Sequence, residues 1–496
     1  MNEDRLINPI HPRDLSRAQQ VRATGAIIGS AAGDAVGAPF EFKEPGLYGR
    51  MFPEPVKGGA GEMVGGGAFN WAPGEFTDDT QMAVALAEAL LAADGYDPDA
   101  VWGRFRAWSA AARDVGITTS YALSNASWQG AALASHNATR GRSASNGCVM
   151  RIAPVGVMGV RVGRDETMRI AVAQASLTHH DPAAAAGAAL VAETIRLCIL
   201  TGRFMPSLNA AFDWLVGTTV GPVLQEQYAH LVSGDFDPHT HQGPGNGSVW
   251  TAVAQAVWAV RTTASFHDAM VAAIQLGDDT DTVAAIAGAM AGAVYGLQGI
   301  PSRWTTYLHG YVTDPEGREV RYDAQALSGI ARRLLGKSPA QETPPEDPID
   351  PRVVHPAGVL ASNLLGATLV DPDTGVVSLC MTGDRFLDKP YRRTVYMRDE
   401  SGDHNPRLLD ALTDAVDAVD AFLAEGRKVV VHCHGGRSRT AFVLKAWYMR
   451  HEGVSHAEAH EWMSACWPHY RTWTSDFWDM LESEWTDHVV AIRGAR

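Results

Sequence analysis

The 496-residue sequence is short of cysteine, of basic charge and of long apolar runs, and each shortage removes a class of protein. Its five cysteines, at 148, 198, 380, 433 and 466, are an odd number scattered over the chain. That spacing excludes a disulfide framework and points to a reducing cytoplasm. Lysine and arginine number 41 against 56 acidic residues, a net charge of −15, and no basic block offsets it. Nucleic acid is therefore not expected as a partner. The N-terminus, MNEDRLINPIHPRD, lacks the basic-then-apolar order of a secretory signal. One apolar stretch, 283–300, raises a membrane question, but it is mostly Ala and Gly and directly follows acids at 278, 279 and 281. A tightly packed interior helix is expected there, and no membrane partner.

What is present is the composition of a folded globular chain, 46% apolar and 20% charged. It is too long for one hydrophobic core, so two or more domains are expected. The break falls at 336–351, GKSPAQETPPEDPIDP, where proline density forbids regular helix or strand and little apolar remains to pack. The expected organisation is a tail over 1–20, a domain over 21–335, a linker over 336–351 and a second domain over 352–496. The first domain is dominated by Ala-rich helical segments (81–93, 183–200, 249–261, 282–295) and reads as all-α. The second offers short strand candidates at 376–380, 394–397 and 429–431. It also has a helix over 408–424 with Asp410, Asp414, Asp417 and Asp420 on its polar side and Gly426 as its stop. It reads as α/β.

The sharpest local signal is Val429-Val-Val-His-Cys433-His-Gly-Gly-Arg-Ser-Arg439-Thr440 followed by a helical stretch. A strand feeding a Gly-containing loop and then a helix N-terminus aims backbone N–H groups and the helix dipole at one point, where an anion can sit. The thiolate is the form of cysteine that such a field stabilises. An arginine can hold two phosphate oxygens in a fork, which lysine cannot, and the Thr440 hydroxyl is placed to hydrogen-bond the sulfur. His432-Cys433-x-x-Gly436-x-x-Arg439-Thr440 resembles the signature of the protein tyrosine/dual-specificity phosphatases. The resemblance implies Cys433 as nucleophile, Arg439 as phosphate clamp, no metal, and an aspartic general acid some thirty residues upstream. Asp399, directly after the strand candidate 394–397, and Asp403, at the more typical distance, both qualify. The expected substrate is a phosphorylated protein or a small phosphate ester.

In the helical half, Phe76-Thr77-Asp78-Asp79-Thr80 and Gly277-Asp278-Asp279-Thr280-Asp281-Thr282 each open a helix. Either alone fits helix capping, since Thr and Asp are preferred caps and acids complement the dipole. Together they could bring Asp78, Asp79, Asp279 and Asp281 into one self-repelling cluster of hard oxygen donors, with Thr77 and Thr282 as neutral oxygens. Further motifs stand in order around them: GxxxGDAxGxPxE ending at Glu41, NGxxMR at 146–151 and THxDP at 178–182. The set resembles the ADP-ribosylglycohydrolase family over nearly all of 22–305. The resemblance implies a helical bundle with two Mg²⁺ ions held by Thr77, Asp78, Asp79, Asp279, Asp281 and Thr282. It places Asn146, Gly147 and His179 in the ADP-ribose pocket and Glu41 near the anomeric carbon. The expected partner is an ADP-ribosylated protein or another ADP-ribose derivative. The main reading is thus a two-headed hydrolase; its rival is a recognition module in which one head is catalytically silent.

Overall fold

A computed structural model describes residues 4–338 and 346–494. The chain divides into two compact units, Met1–Pro55 with Glu62–Ile300 and Tyr307–Ala340, and Gln341–Arg496 with Val56–Gly61 and Pro301–Thr306. Of the segments expected as tail and linker, residues 1–3 and 339–345 lie outside the described residues. The described remainder of both is packed at particular residues. Ile10 and Leu15 are buried, and Ile10 N–H donates to Val160 O at 3.0 Å. In the second unit, Ile349 packs against the core.

The first unit is helical, as its alanine content predicts. Its α1 (Arg17–Gly37) starts in a capping box between Ser16 and Gln19. The other helices that matter for function are α2 (Asp78–Ala92), α3 (Pro182–Thr201), α4 (Val249–Arg261) and α5 (Thr280–Tyr295). Gly25, Gly29, Gly33 and Gly37 recur every fourth residue on α1 and face Gly292, Gly288, Ala284 and Asp281 of α5. A Cβ on Gly37 would stand 2.6 Å from Asp281 Cα, and on the other three it would meet a backbone carbonyl more closely still. Lack of side chains therefore sets how near the two backbones come. That approach delivers the end of α1 to the start of α5. The apolar stretch at 283–300 is mostly this α5, buried through Ala293. Among the described residues, α3 alone is long and apolar enough to cross a membrane, and 94% of it is buried inside the fold.

A two-stranded hairpin, β1 (His309–Thr313) with β2 (Glu319–Asp323), is an addition to the expected all-helical picture. Its edge holds Phe76 N–H through His309 O at 2.9 Å, just before α2 begins.

The second unit is a five-stranded sheet in the order β3-β4-β7-β5-β6, with β3 (Arg352–His355), β4 (Val359–Asn363), β5 (Gly375–Ser378), β6 (Arg392–Thr394) and β7 (Val429–Cys433). Only β3 runs antiparallel to its neighbour. β7 is central and buried on both faces, which is why it reads as an unbroken apolar run. Helix α6 (Leu408–Ala424) buries its apolar stripe and ends as expected, with Gly426 at φ +76° one position past the cap. Helix α7 (Ser438–Glu452) begins five residues after β7 ends. The strand expected over 394–397 is shorter and earlier: the last sheet bond is Val395 N–H to Ser378 O at 2.9 Å. Beyond it the chain's carbonyls serve another partner, Arg439.

Candidate active sites

In the helical unit, the two acidic motifs face each other. Thr77 caps α2 by accepting from Asp79 N, and Thr282 Oγ1, in the first turn of α5, donates to Asp79 Oδ2 at 3.4 Å. Asp34, on the last turn of α1, accepts from Thr77 N at 2.9 Å and from Thr80 N at 3.0 Å, fixing the start of α2. The chain after α1 is tied to the loop before α5 by Phe42 N–H to Asp278 O at 2.7 Å and Asp278 N–H to Lys43 O at 3.0 Å. Asp278 takes a left-handed φ of +58° to make that bridge. Glu41 is thereby held against Asp279 and Asp281, with one oxygen of each within 4.8 Å of the others.

Gathering these carboxylates has a clear electrostatic consequence. Burial, with the charges of Asp114, Asp279 and Asp34, pushes Glu41 up to about 8. Burial and neighbouring carboxylates hold Asp78, Asp79 and Asp281 well above the ordinary range. Burial raises Asp279 too, although Asn146 and Thr282 bond to it and oppose the shift. Asp34 and Asp114 are each raised to about 6, chiefly by burial. Glu41 Oε2 and Asp79 Oδ1 are buried without any hydrogen-bond partner. Two unsatisfied carboxylate oxygens in an all-oxygen donor set fit a hard divalent cation, which would supply the missing contacts and cancel the repulsion.

The loop at 145–148 closes one side. Asn146 Nδ2 donates to Asp279 Oδ2 at 2.7 Å and to Asn246 O at 2.8 Å. Asn246 in turn accepts Asp279 N–H at 3.2 Å and donates to Gly277 O at 3.0 Å. His179 lies beneath Gly147, fully enclosed, with Nε2 bonded to Ser145 Oγ at 2.9 Å and Nδ1 to Thr178 Oγ1 at 2.8 Å. Burial lowers its pKa to about 3, so it is neutral, and with both nitrogens occupied it supports the loop rather than reaching into a pocket. Asn246 and Asp114 escaped the sequence reading. Asn246 sits in a Gly-Asn-Gly turn and Asp114 beside a lone Arg, contexts that carry no signal of their own.

In the α/β unit, Cys433 ends β7 and is 2% exposed. Gly436 turns the loop at φ +68°, where a Cβ would stand 2.7 Å from Ser362 O. Arg439 Nη1 donates to Leu379 O at 2.8 Å and Met397 O at 3.1 Å, the carbonyls freed where β5 and β6 leave the sheet. Its Nε is buried with no hydrogen-bond partner, a donor left over for an anion. His432 bonds Ser378 Oγ through Nε2 at 2.7 Å, and burial lowers it to about 4, so a neutral ring braces the strand.

Asp399 stands beside the loop. Its Oδ1 accepts Ser438 Oγ and Thr474 Oγ1, each at 2.7 Å, and its Oδ2 is 3.7 Å from Arg439 Nε. Asp403 is exposed in the turn beyond. The Thr440 hydroxyl is buried and makes no hydrogen bond, so its expected bond to the Cys433 sulfur is absent in this state.

Comparison with known proteins agrees with both family resemblances. Residues 15–344 match the family model for ADP-ribosylglycohydrolase. The chain belongs to the ADP-ribosylglycohydrolase family. Residues 382–482 match the catalytic domain of dual specificity phosphatases, so this ADP-ribosylglycohydrolase carries a phosphatase-like domain. It is 32% identical over 338 residues to the ADP-ribosylarginine hydrolase Tri1 of Serratia proteamaculans, covering 65% of this chain and 81% of the relative. It is 29% identical over 313 residues to the ADP-ribosyl-(dinitrogen reductase) glycohydrolase of Rhodospirillum rubrum, covering 62% and 96%. A solved ADP-ribosylglycohydrolase-related protein complex shares 30% identity at a TM-score of 0.51, over 65% of this chain and all of that one.

Proposed function

We propose that the helical unit releases ADP-ribose from a modified protein in a Mg²⁺-dependent hydrolysis, and that the α/β unit hydrolyses phosphate monoesters through Cys433. For the first, the observation that carries the reading is the convergence of Glu41, Asp279 and Asp281 within 4.8 Å, with a buried Glu41 oxygen unpaired. Thr77, Asp78, Asp79, Asp279, Asp281 and Thr282 would hold two Mg²⁺ ions, which when bound neutralise the carboxylates and polarise sugar hydroxyls and water. Glu41, buried beside Asp279 and Asp281, is suited to exchange a proton as water adds to the anomeric carbon and the glycosidic bond breaks. Asn146 holds Asp279 in place, and Gly147, backed by His179, leaves room for the ADP-ribose backbone. The names of the relatives support arginine as the modified side chain. Release of ADP-ribose from an ADP-ribosylarginine protein, measured with Mg²⁺ and with chelator, tests this. Binding without release, in the presence of Mg²⁺, would reduce the unit to a recognition module.

In the second unit the Cys433 sulfur attacks phosphorus and the ester P–O bond breaks. Asp399, bonded to Ser438 and beside Arg439, gives its proton to the departing oxygen. Water then cleaves the S–P bond, regenerating the thiolate and releasing phosphate. Arg439 holds the phosphate oxygens throughout, its Nη1 already anchored on two carbonyls. Such a thiolate needs a reducing compartment, and the cysteines are free, which supports a cytoplasmic location.

A further inference from the structure

The phosphate loop carries a second guanidinium that the mechanism above does not use. Arg437 lies midway between Gly435 and Arg439, and it is paired in a fork with Glu346: Nη1 to Oε1 at 3.1 Å and Nη2 to Oε2 at 2.6 Å. Glu346 is brought there deliberately. Asn363, the β4 residue paired in register with Cys433, donates through Nδ2 to Asp347 O at 2.7 Å and accepts Ile349 N–H through Oδ1 at 2.9 Å. Ser362 Oγ adds a bond to Ile349 O at 2.8 Å. The carboxylate then lies against Gly435, where a Cβ would stand 3.0 Å from Glu346 Oε1.

Two features make this pair more than a surface bridge. Arg439, anchored on two carbonyls with Nε unpaired, is already in place for the phosphate being transferred, which leaves Arg437 available for another anion. The pair is also half-exposed, 38% for Arg437 and 40% for Glu346, and exposed pairs of this kind hold weakly. A ligand phosphate offers the same two-oxygen fork with more charge than a carboxylate, so it can displace Glu346 from the guanidinium.

We infer that Glu346 is an internal counter-ion for Arg437, displaced by a second phosphate group on the substrate, so that the cysteine site favours small esters carrying two phosphates over those carrying one. This rests on Cys433 being the phosphatase nucleophile. With one phosphate on the substrate the Glu346–Arg437 pair stays closed. With two, the transferable phosphate sits over Cys433 and the other takes the place of the Glu346 carboxylate.

The test uses the full chain and reads occupancy of the loop by protection of Cys433 from iodoacetamide, with inorganic phosphate and pyrophosphate as the one-phosphate and two-phosphate probes. Glu346→Gln should raise the preference for pyrophosphate over phosphate about fivefold, the size of a half-exposed ion pair. Glu346→Asp, one methylene shorter, should fall between it and the unaltered chain. Arg437→Gln should lower the preference by at least as much, because it leaves Glu346 unpaired beside the loop. Opposite signs support the counter-ion. Shifts in the same direction from the two Gln substitutions, or none, mean that the pair only ties the segment down, and they overturn the proposal. Turnover of p-nitrophenyl phosphate by the unaltered chain and by Cys433→Ser is measured separately. Its absence, or its survival in Cys433→Ser, counts against the nucleophile while the protection data still report the anion preference.

Discussion

The two sites handle charge in opposite ways. The helical site collects carboxylates from segments far apart in sequence (Asp34 and Glu41, Asp78 and Asp79, Asp114, Asp279 and Asp281) and buries most of them together. The cysteine site takes its proposed nucleophile and clamp from eight consecutive residues, 433–440, and leaves the Arg439 Nε donor buried and unpaired among them. The first is an assembly that repels itself and gains from a cation. The second keeps a buried arginine donor free for an anion before one arrives. Site stability and site chemistry should therefore be linked in the first and separable in the second.

Single substitutions that silence one head and spare the other break the comparison most sharply. Cys433→Ser is expected to lower phosphate monoester turnover about a thousandfold or more, with ADP-ribose release unchanged. Asp279→Ala should do the reverse. A loss of both activities from either substitution would mean the sites are not independent. Within the cysteine site, Asp399→Asn should cost about a hundredfold or more on an alkyl phosphate and much less on p-nitrophenyl phosphate, whose leaving group needs no proton. Asp403→Asn should stay close to the unaltered enzyme on both. If Asp403 rather than Asp399 shows the leaving-group dependence, the acid has been assigned to the wrong aspartate.

The link between charge and stability gives a pH prediction. Asp34 and Asp114 titrate near about 6 and Glu41 near about 8 in the folded chain, above the ordinary carboxyl range of the unfolded one. Between those limits the folded state binds more protons, so stability falls as pH rises. In chelator, the contribution of these groups is whole below about pH 4 and is lost as pH climbs through about 6 and then about 8. The thermal midpoint should drop accordingly. Mg²⁺ bound as proposed would replace the protons as counter-charge, so the midpoint it restores should grow with pH. A Mg²⁺ effect that is flat across this range, in the full chain, would show that the cluster is not where the ion binds.

How much of this was legible in the sequence follows the same division. The cysteine loop could be read whole because its parts are contiguous, and the Ala- and Gly-rich helices because their composition admits little else. The meeting of Thr282 with Asp79 depends on the glycine ladder between α1 and α5, which shows in the sequence only as a spacing of four. The hairpin β1–β2 turns at Gly317, φ +78°, through Asp-Pro-Glu-Gly, and its strands are too short and too polar to announce themselves. β3 and β4 were missed because their apolar runs are interrupted: β3 is Arg-Val-Val-His and β4 ends in Ser362-Asn363, whereas β7 opens on the unbroken run Val429-Val-Val. The linker looked empty because proline hides the backbone bonds that Asn363 makes to it. His179 reads as a pocket residue; its place as a neutral support under the loop depends on hydroxyls from Thr178 and Ser145, which no motif announces.

The smallest expected effect concerns Asn246, a residue with no motif around it. Its side chain holds Asp279 N–H and Gly277 O, and its own carbonyl receives Asn146, so it orients the loop that carries the acids without being a proposed ligand itself. Asn246→Ala leaves the Asp279 carboxylate in place but frees its backbone. Partners that orient metal ligands typically matter by about 10–100-fold in metal affinity. The expected result is a rise of about tenfold in the Mg²⁺ concentration giving half-maximal ADP-ribose release, with most activity recovered at saturating Mg²⁺. Phosphate ester turnover by Cys433 should not change. An unaltered Mg²⁺ requirement would place Asn246 in the fold of the loop alone, and the site's dependence on its distant segments would then end at the carboxylates themselves.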